Sequence, residues 1–119
     1  MSINRNYYVI AGYDVTTAVT DKYKDWQWTD DGEKYFCNQS NGRIQFFNDP
    51  MSGSYLYFGY IIASGDEYEF ETTVFNPWKI TNLKTVVDLE FDKLVEYGVM
   101  DEDKAKYIPF RLIAFEECS

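Results

Sequence analysis

Thr81-Asn82-Leu83-Lys84-Thr85-Val86-Val87-Asp88-Leu89-Glu90-Phe91-Asp92-Lys93-Leu94-Val95-Glu96-Tyr97-Gly98 is the stretch that decides the fold class. Leu83, Val87, Phe91, Leu94 and Val95 recur at three- and four-residue spacings, which lines them along one face of a helix. Gly98 stands where a helix ends on a left-handed residue. Upstream, Asn76-Pro77 is a helix-start signal, a capping residue followed by proline at the first helical position. The helix is therefore assigned to about Thr81 to Tyr97. Downstream, Asp101 is placed to cap a second short helix through Tyr107, and Pro109 ends it. Ile108 to Glu116 then reads as a last strand.

Before this helix the chain reads as strands. Tyr7 to Asp14 is an apolar-aromatic first strand, and Thr16 to Thr20 a loop. In Asp21 to Thr29, Lys22, Lys24, Trp26 and Trp28 alternate with Asp21, Tyr23, Asp25 and Gln27, which favours a strand. Asp30-Asp31-Gly32 reads as a hairpin-type turn into Lys34 to Cys37, and Asn41-Gly42 as a tight turn into Arg43 to Phe47. After the loop at 48–54, Tyr55 to Ala63 has the pattern of a central strand, apolar on both faces. Ser64-Gly65-Asp66 turns the chain into Glu67 to Phe75. A run of strands followed by helices means an α+β fold. The expectation is one domain over residues 1–119, with a mostly antiparallel five- to six-stranded sheet. The main helix at about 81–97 and the short second helix would pack on one sheet face.

Composition narrows the chemistry. The 119 residues include eleven Tyr, nine Phe and three Trp, and aromatics make up 19% of the chain, which favours a pleated, half-buried sheet over disorder. There is no histidine, so the commonest general base and every His-based metal site are excluded. Cys37 and Cys118 are too few for a disulfide framework or a structural zinc site. Cys37, behind Tyr35-Phe36, reads as a small core residue. No glycine loop has the layout that cradles phosphate. Asp101-Glu102-Asp103 lacks the spaced ligands and central glycine of a calcium loop and reads as an acidic helix start. No catalytic residue, cofactor or metal is assigned, and the chain is read as a non-enzyme. Without a leader-like segment or an apolar run long enough to span a bilayer, a reduced, cytoplasmic protein is expected.

Charge is the remaining signal. Ser64 to Asp103 carries eleven acidic residues and three lysines, a local balance of −8 against −9 for the whole chain. Glu67, Glu69 and Glu71 fall on one face of the strand expected there, each about 7 Å from the next. Asp66 precedes them. Asp88 and Asp92 lie one helical turn apart and share a face, and Asp101, Glu102 and Asp103 follow. One reading is a solvated surface that also discourages edge-to-edge aggregation. The sharper one is an array of fixed charges that imitates a nucleic-acid backbone. Direct nucleic-acid binding and docking on anionic membranes are disfavoured by the same charge. In a strand Trp26 and Trp28 would share one face as core residues; in a loop they would be partly exposed and suited to anchor an interface.

These acids and the two tryptophans form the expected partner-binding set. The leading expectation is a binding protein that occupies a basic surface of a partner, in its sharper form that of a nucleic-acid-handling protein. The short, acidic, tyrosine-rich composition is shared by many phage and mobile-element inhibitors. Two alternatives are a small-molecule binder with an aromatic pocket and an oligomeric assembly protein that uses Trp26 and Trp28.

Overall fold

The computed structural model describes residues 5–37, 44–48, 55–66 and 77–118. In chain order these form β1 (Arg5–Asp14), α1 (Tyr23–Trp26), α2 (Asp30–Cys37), β2 (Ile44–Asn48), β3 (Leu56–Asp66), α3 (Pro77–Glu96), α4 (Glu102–Ala105) and β4 (Arg111–Cys118). The four strands make one antiparallel sheet in the order β2-β3-β1-β4. The α+β class is as expected, but the sheet has four strands among the described residues rather than five or six. Asp21 to Thr29 and Lys34 to Cys37 are turn and helix instead of strand. The strand expected at Glu67 to Phe75 and the Asn41-Gly42 turn lie outside the described residues.

The two long apolar runs become the central pair. Tyr13 is registered opposite Phe58, and Ile10 opposite Ile61. Val9 pairs with Ala63, so Ile62 is the extra residue of a β-bulge. Ser64-Gly65-Asp66 is not a turn. These residues lie opposite Tyr8, Tyr7 and Asn6 and extend β3, because the ladder with β1 gives their backbone groups partners that a turn would leave to water.

Alternation along the strands divides the apolar residues between two faces. Tyr13, Ile44, Phe46, Leu56 and Phe58 face the helices and bury with Val87, Phe91 and Leu94 of α3, Trp26 of α1 and Tyr35 of α2. Ile10, Phe47 and Ile61 bury on the opposite face, with Tyr8, Tyr57, Ile113 and Phe115 packed against them. The helix face read from the sequence is therefore the one buried. Leu83 and Val95, also on it, are partly buried. Pro77 is the first helical residue, so α3 begins about one turn earlier than the assigned Thr81.

Gly98 ends α3 at φ +79°. Its N–H donates to Val95 O, and the N–H of Val99 donates to Leu94 O. Together these bonds close the helix end in a Schellman motif.

Residues 29–37 depart furthest from expectation. Thr29 caps α2: its Oγ1 accepts from Gly32 N–H at 3.2 Å, and its carbonyl accepts from Glu33 N–H at 2.9 Å. Asp30, Asp31 and Glu33 then fill the first turn, where acids complement the helix dipole. Gly32 is present for close approach, not for a hairpin. A Cβ there would stand 2.1 Å from Trp26 O and 2.8 Å from Gln27 Cα. Glycine to alanine inside a helix ordinarily gains about 0.5–1 kcal/mol. Gly32→Ala is expected instead to destabilise by about 1–3 kcal/mol, the range for overpacking against atoms that must shift. A lower urea midpoint checks this, and a higher midpoint would contradict the α1–α2 packing.

Candidate functional site

The site is assembled by a long-range contact. Val19 and Met100 form an antiparallel bridge. Around it, Thr20 N–H donates to Val99 O at 2.9 Å, and Asp101 N–H donates to Ala18 O at 2.8 Å. Thr20 Oγ1 donates to Gly98 O at 2.6 Å. These bonds hold the chain leaving α3 against the loop that follows β1, and α4 starts from there. Asp101 is the α4 N-cap, as expected, and its carboxylate accepts from the N–H groups of Asp103 and Lys104 at 3.0 and 3.2 Å.

Between α3 and the segment from α4 to β4 lies a groove of about 520 Å³. Tyr13, Phe91, Val95, Ile108 and Phe110 supply its apolar lining. The Tyr13 ring lies 4.8 Å from Phe91 and 5.4 Å from Phe110, centroid to centroid. Lys84, Asp88 and Asp92 line it from α3, and Glu102 and Lys106 from the other side.

The charges around this groove are not equivalent. Asp88 accepts a hydrogen bond from the Tyr13 hydroxyl and pairs with Lys84 at 2.5 Å. Lys106 lies 3.8 Å from Asp103. Asp92 and Glu102 are exposed, and neither has an ion pair among the described residues. A second tyrosine–carboxylate bond lies elsewhere on α3, where Tyr35 donates to Glu90 at 2.8 Å and Lys93 pairs with the same carboxylate.

Burial pushes the Tyr13 phenol well above its ordinary range, and the bond to Asp88 with the charges of Asp88 and Asp92 pushes it further. Tyr35 is raised in the same way, by burial first and by Glu90 second. Burial alone pushes Tyr23 up to about 12.

The expected partner-binding residues separate on this structure. Asp92 and Glu102 come together on one groove. Asp88 reaches the same groove, but Tyr13 and Lys84 engage its carboxylate. Asp101 serves as a cap, and Asp103 is exposed beside Lys106. Asp66 ends β3, while Glu67, Glu69 and Glu71 lie outside the described residues. Trp26 and Trp28 do not share a face. Trp26 is 6% exposed in the core and Trp28 is 79% exposed, because a helical turn replaces the strand that would have aligned them. Trp26 is thus removed from any self-interface.

Sequence reasoning did not find Tyr13, Lys84, Lys106 or Phe110. The i,i+4 spacing of Lys84 and Asp88 was a readable signal for one of them. Comparison with protein-family models, curated proteins and solved structures finds no match.

The phenols give a pH prediction. An ordinary tyrosine ionises near pH 10. Tyr13, Tyr23 and Tyr35 keep their protons to higher pH when folded, so their contribution is fully present below about pH 10 and is lost as pH rises from there. Stability measured by denaturation should fall above about pH 10, with phenolate absorbance appearing together with unfolding. The Tyr23 hydroxyl is also buried without a hydrogen-bond partner among the described residues. A buried unsatisfied group costs roughly 1–3 kcal/mol. Tyr23→Phe should therefore leave stability unchanged or raise it and should lessen the alkaline loss; a marked drop at neutral pH would show that the hydroxyl has a role.

Proposed function

We propose that this chain is a non-enzymatic binding protein whose helical layer engages a basic surface on a partner protein. The supporting observation is the state of the exposed acids. Asp21, Asp25, Asp30, Glu33, Asp92, Glu96 and Glu102 are exposed on or beside the four helices, and none has an ion pair among the described residues. Uncompensated carboxylates repel one another, and a partner rich in Lys and Arg relieves that cost while its encounter is steered by charge. The groove adds apolar surface beside two of these acids, which gives a place for contact as well as attraction.

The nucleic-acid mimic is the sharper form of this proposal. In it, the basic surface is the groove of a nucleic-acid-handling protein. The aromatic-pocket alternative has a counterpart in the α3–α4 groove. Its charged edges favour a cationic ligand over a wholly apolar one.

Affinity capture from a lysate at low and high salt tests the reading. Wild type should retain a basic protein at low salt and release it as screening shortens the range of the charges. Asp92→Lys/Glu96→Lys/Glu102→Lys should weaken that capture by about tenfold or more, the scale of a few charge contacts at roughly 0.5–1 kcal/mol each. These side chains are exposed, so thermal stability should be little changed. Capture that ignores both salt and charge reversal would overturn the proposal.

A further inference from the structure

The α3–α4 groove already shows how it treats a cation. Lys84 Nζ lies 2.5 Å from Asp88 Oδ2 and 5.9 Å from the centroid of the Phe110 ring. One end of the groove therefore holds an ammonium between a carboxylate and an aromatic face, at a distance where the ring quadrupole attracts it. The protein's own lysine fills that position.

The rest of the groove places further carboxylates beside apolar side chains. Phe110 is the partly exposed ring of the lining, and the buried Tyr13 and Phe91 rings back it from the core. Asp92 from α3 and Glu102 from α4 line the groove from opposite walls. Lys84 is matched to Asp88 and Lys106 to Asp103, which leaves Asp92 and Glu102 as the groove carboxylates without an ion pair among the described residues. About 520 Å³ is more space than one ammonium uses, and it falls within the range of specific ligand sites, about 300–1,000 Å³.

We infer that this groove receives an arginine side chain of the partner, flanked by apolar residues. The inference rests on the basic-partner reading and names the group that would be recognised. A guanidinium suits the place better than an ammonium for two reasons. Its flat face stacks on an aromatic ring, for which the partly exposed Phe110 is available. Its five N–H donors also let one group address carboxylates on two walls, which a point charge on a flexible stem does less well. The apolar lining contributed by Val95, Ile108 and Phe110 takes the residues on either side.

The probe is acetyl-Leu-Arg-Leu-amide, titrated into the ¹⁵N-labelled chain, with acetyl-Leu-Lys-Leu-amide as its comparison. The arginine peptide should give saturable amide shifts concentrated in residues 84–95 and 102–110, with a dissociation constant of about 1 mM. The lysine peptide should bind at least about threefold more weakly. Asp92→Asn/Glu102→Gln should weaken the arginine peptide by about tenfold, and each single variant by an intermediate factor. Both positions are exposed and free of ion pairs among the described residues, so an unchanged melting temperature accompanies the loss. Equal affinity for the two peptides would overturn the guanidinium assignment, and undiminished binding to the double variant would overturn the groove. Shifts confined to α1 and α2 would also overturn the groove while leaving the basic-partner reading intact. Absence of saturable shifts with either peptide would overturn it too, and the salt-dependent capture reports separately on the wider reading.

Discussion

The hydrogen bond from Tyr13 to Asp88 is the constraint on which the helical layer depends. Tyr13 comes from β1 and is only 7% exposed, with its ring between Phe91 and Phe110. Its hydroxyl donates to the Asp88 carboxylate of α3, so the ring can be buried without stranding a donor. Tyr35 from α2 does the same at Glu90. Asp88 and Glu90 are two residues apart on α3, which separates them by about 200° around the helix. The two tyrosines therefore grip α3 from opposite flanks, one from the sheet and one from α2. Sliding the helix along its axis would break both bonds, so its position is set by geometry as well as by apolar contact.

What could be read in advance follows from how local each signal is. The apolar spacing of Leu83, Val87, Phe91 and Leu94, the proline at 77, the glycine at 98 and the cap at Asp101 are all short-range devices. Each proved to be where the residues placed it. Asp21 to Cys37 failed because a short stretch of aromatics and charges satisfies two periods at once. Alternation paired Trp26 with Trp28. The competing three-residue spacing of Tyr23 and Trp26, followed by Thr29 ahead of three acids, is a helix-start pattern that was equally available. Ser64-Gly65-Asp66 carried turn residues, but pairing with β1 outweighed their local preference.

The candidate site was less legible than the fold, for a physical reason. Asp92 and Glu102 are ten positions apart on different helices, and nothing in their spacing brings them together. Their common groove depends on the bridge between Val19 and Met100, a contact between distant parts of the chain. Its aromatic lining draws on Tyr13 and Phe110, which come from opposite ends of the sequence. Composition therefore pointed to acids and aromatics without indicating which of them line one groove.

Net charge is also a poor guide to what a partner meets. The molecule measures 40 × 39 × 25 Å, whereas charges in physiological salt are screened beyond about 8 Å. A partner approaching one face feels the acids of that face and little of the −9 total. Within one face, acids already committed to the fold add little further. Asp88 and Glu90 are held by tyrosine and lysine, and Asp101 is spent on backbone N–H groups. For the proposed recognition that leaves the carboxylates that are exposed and have no ion pair among the described residues. By that standard Asp92 and Glu102 stand apart from the scattered acids, because they line one groove beside apolar side chains that a partner could also contact.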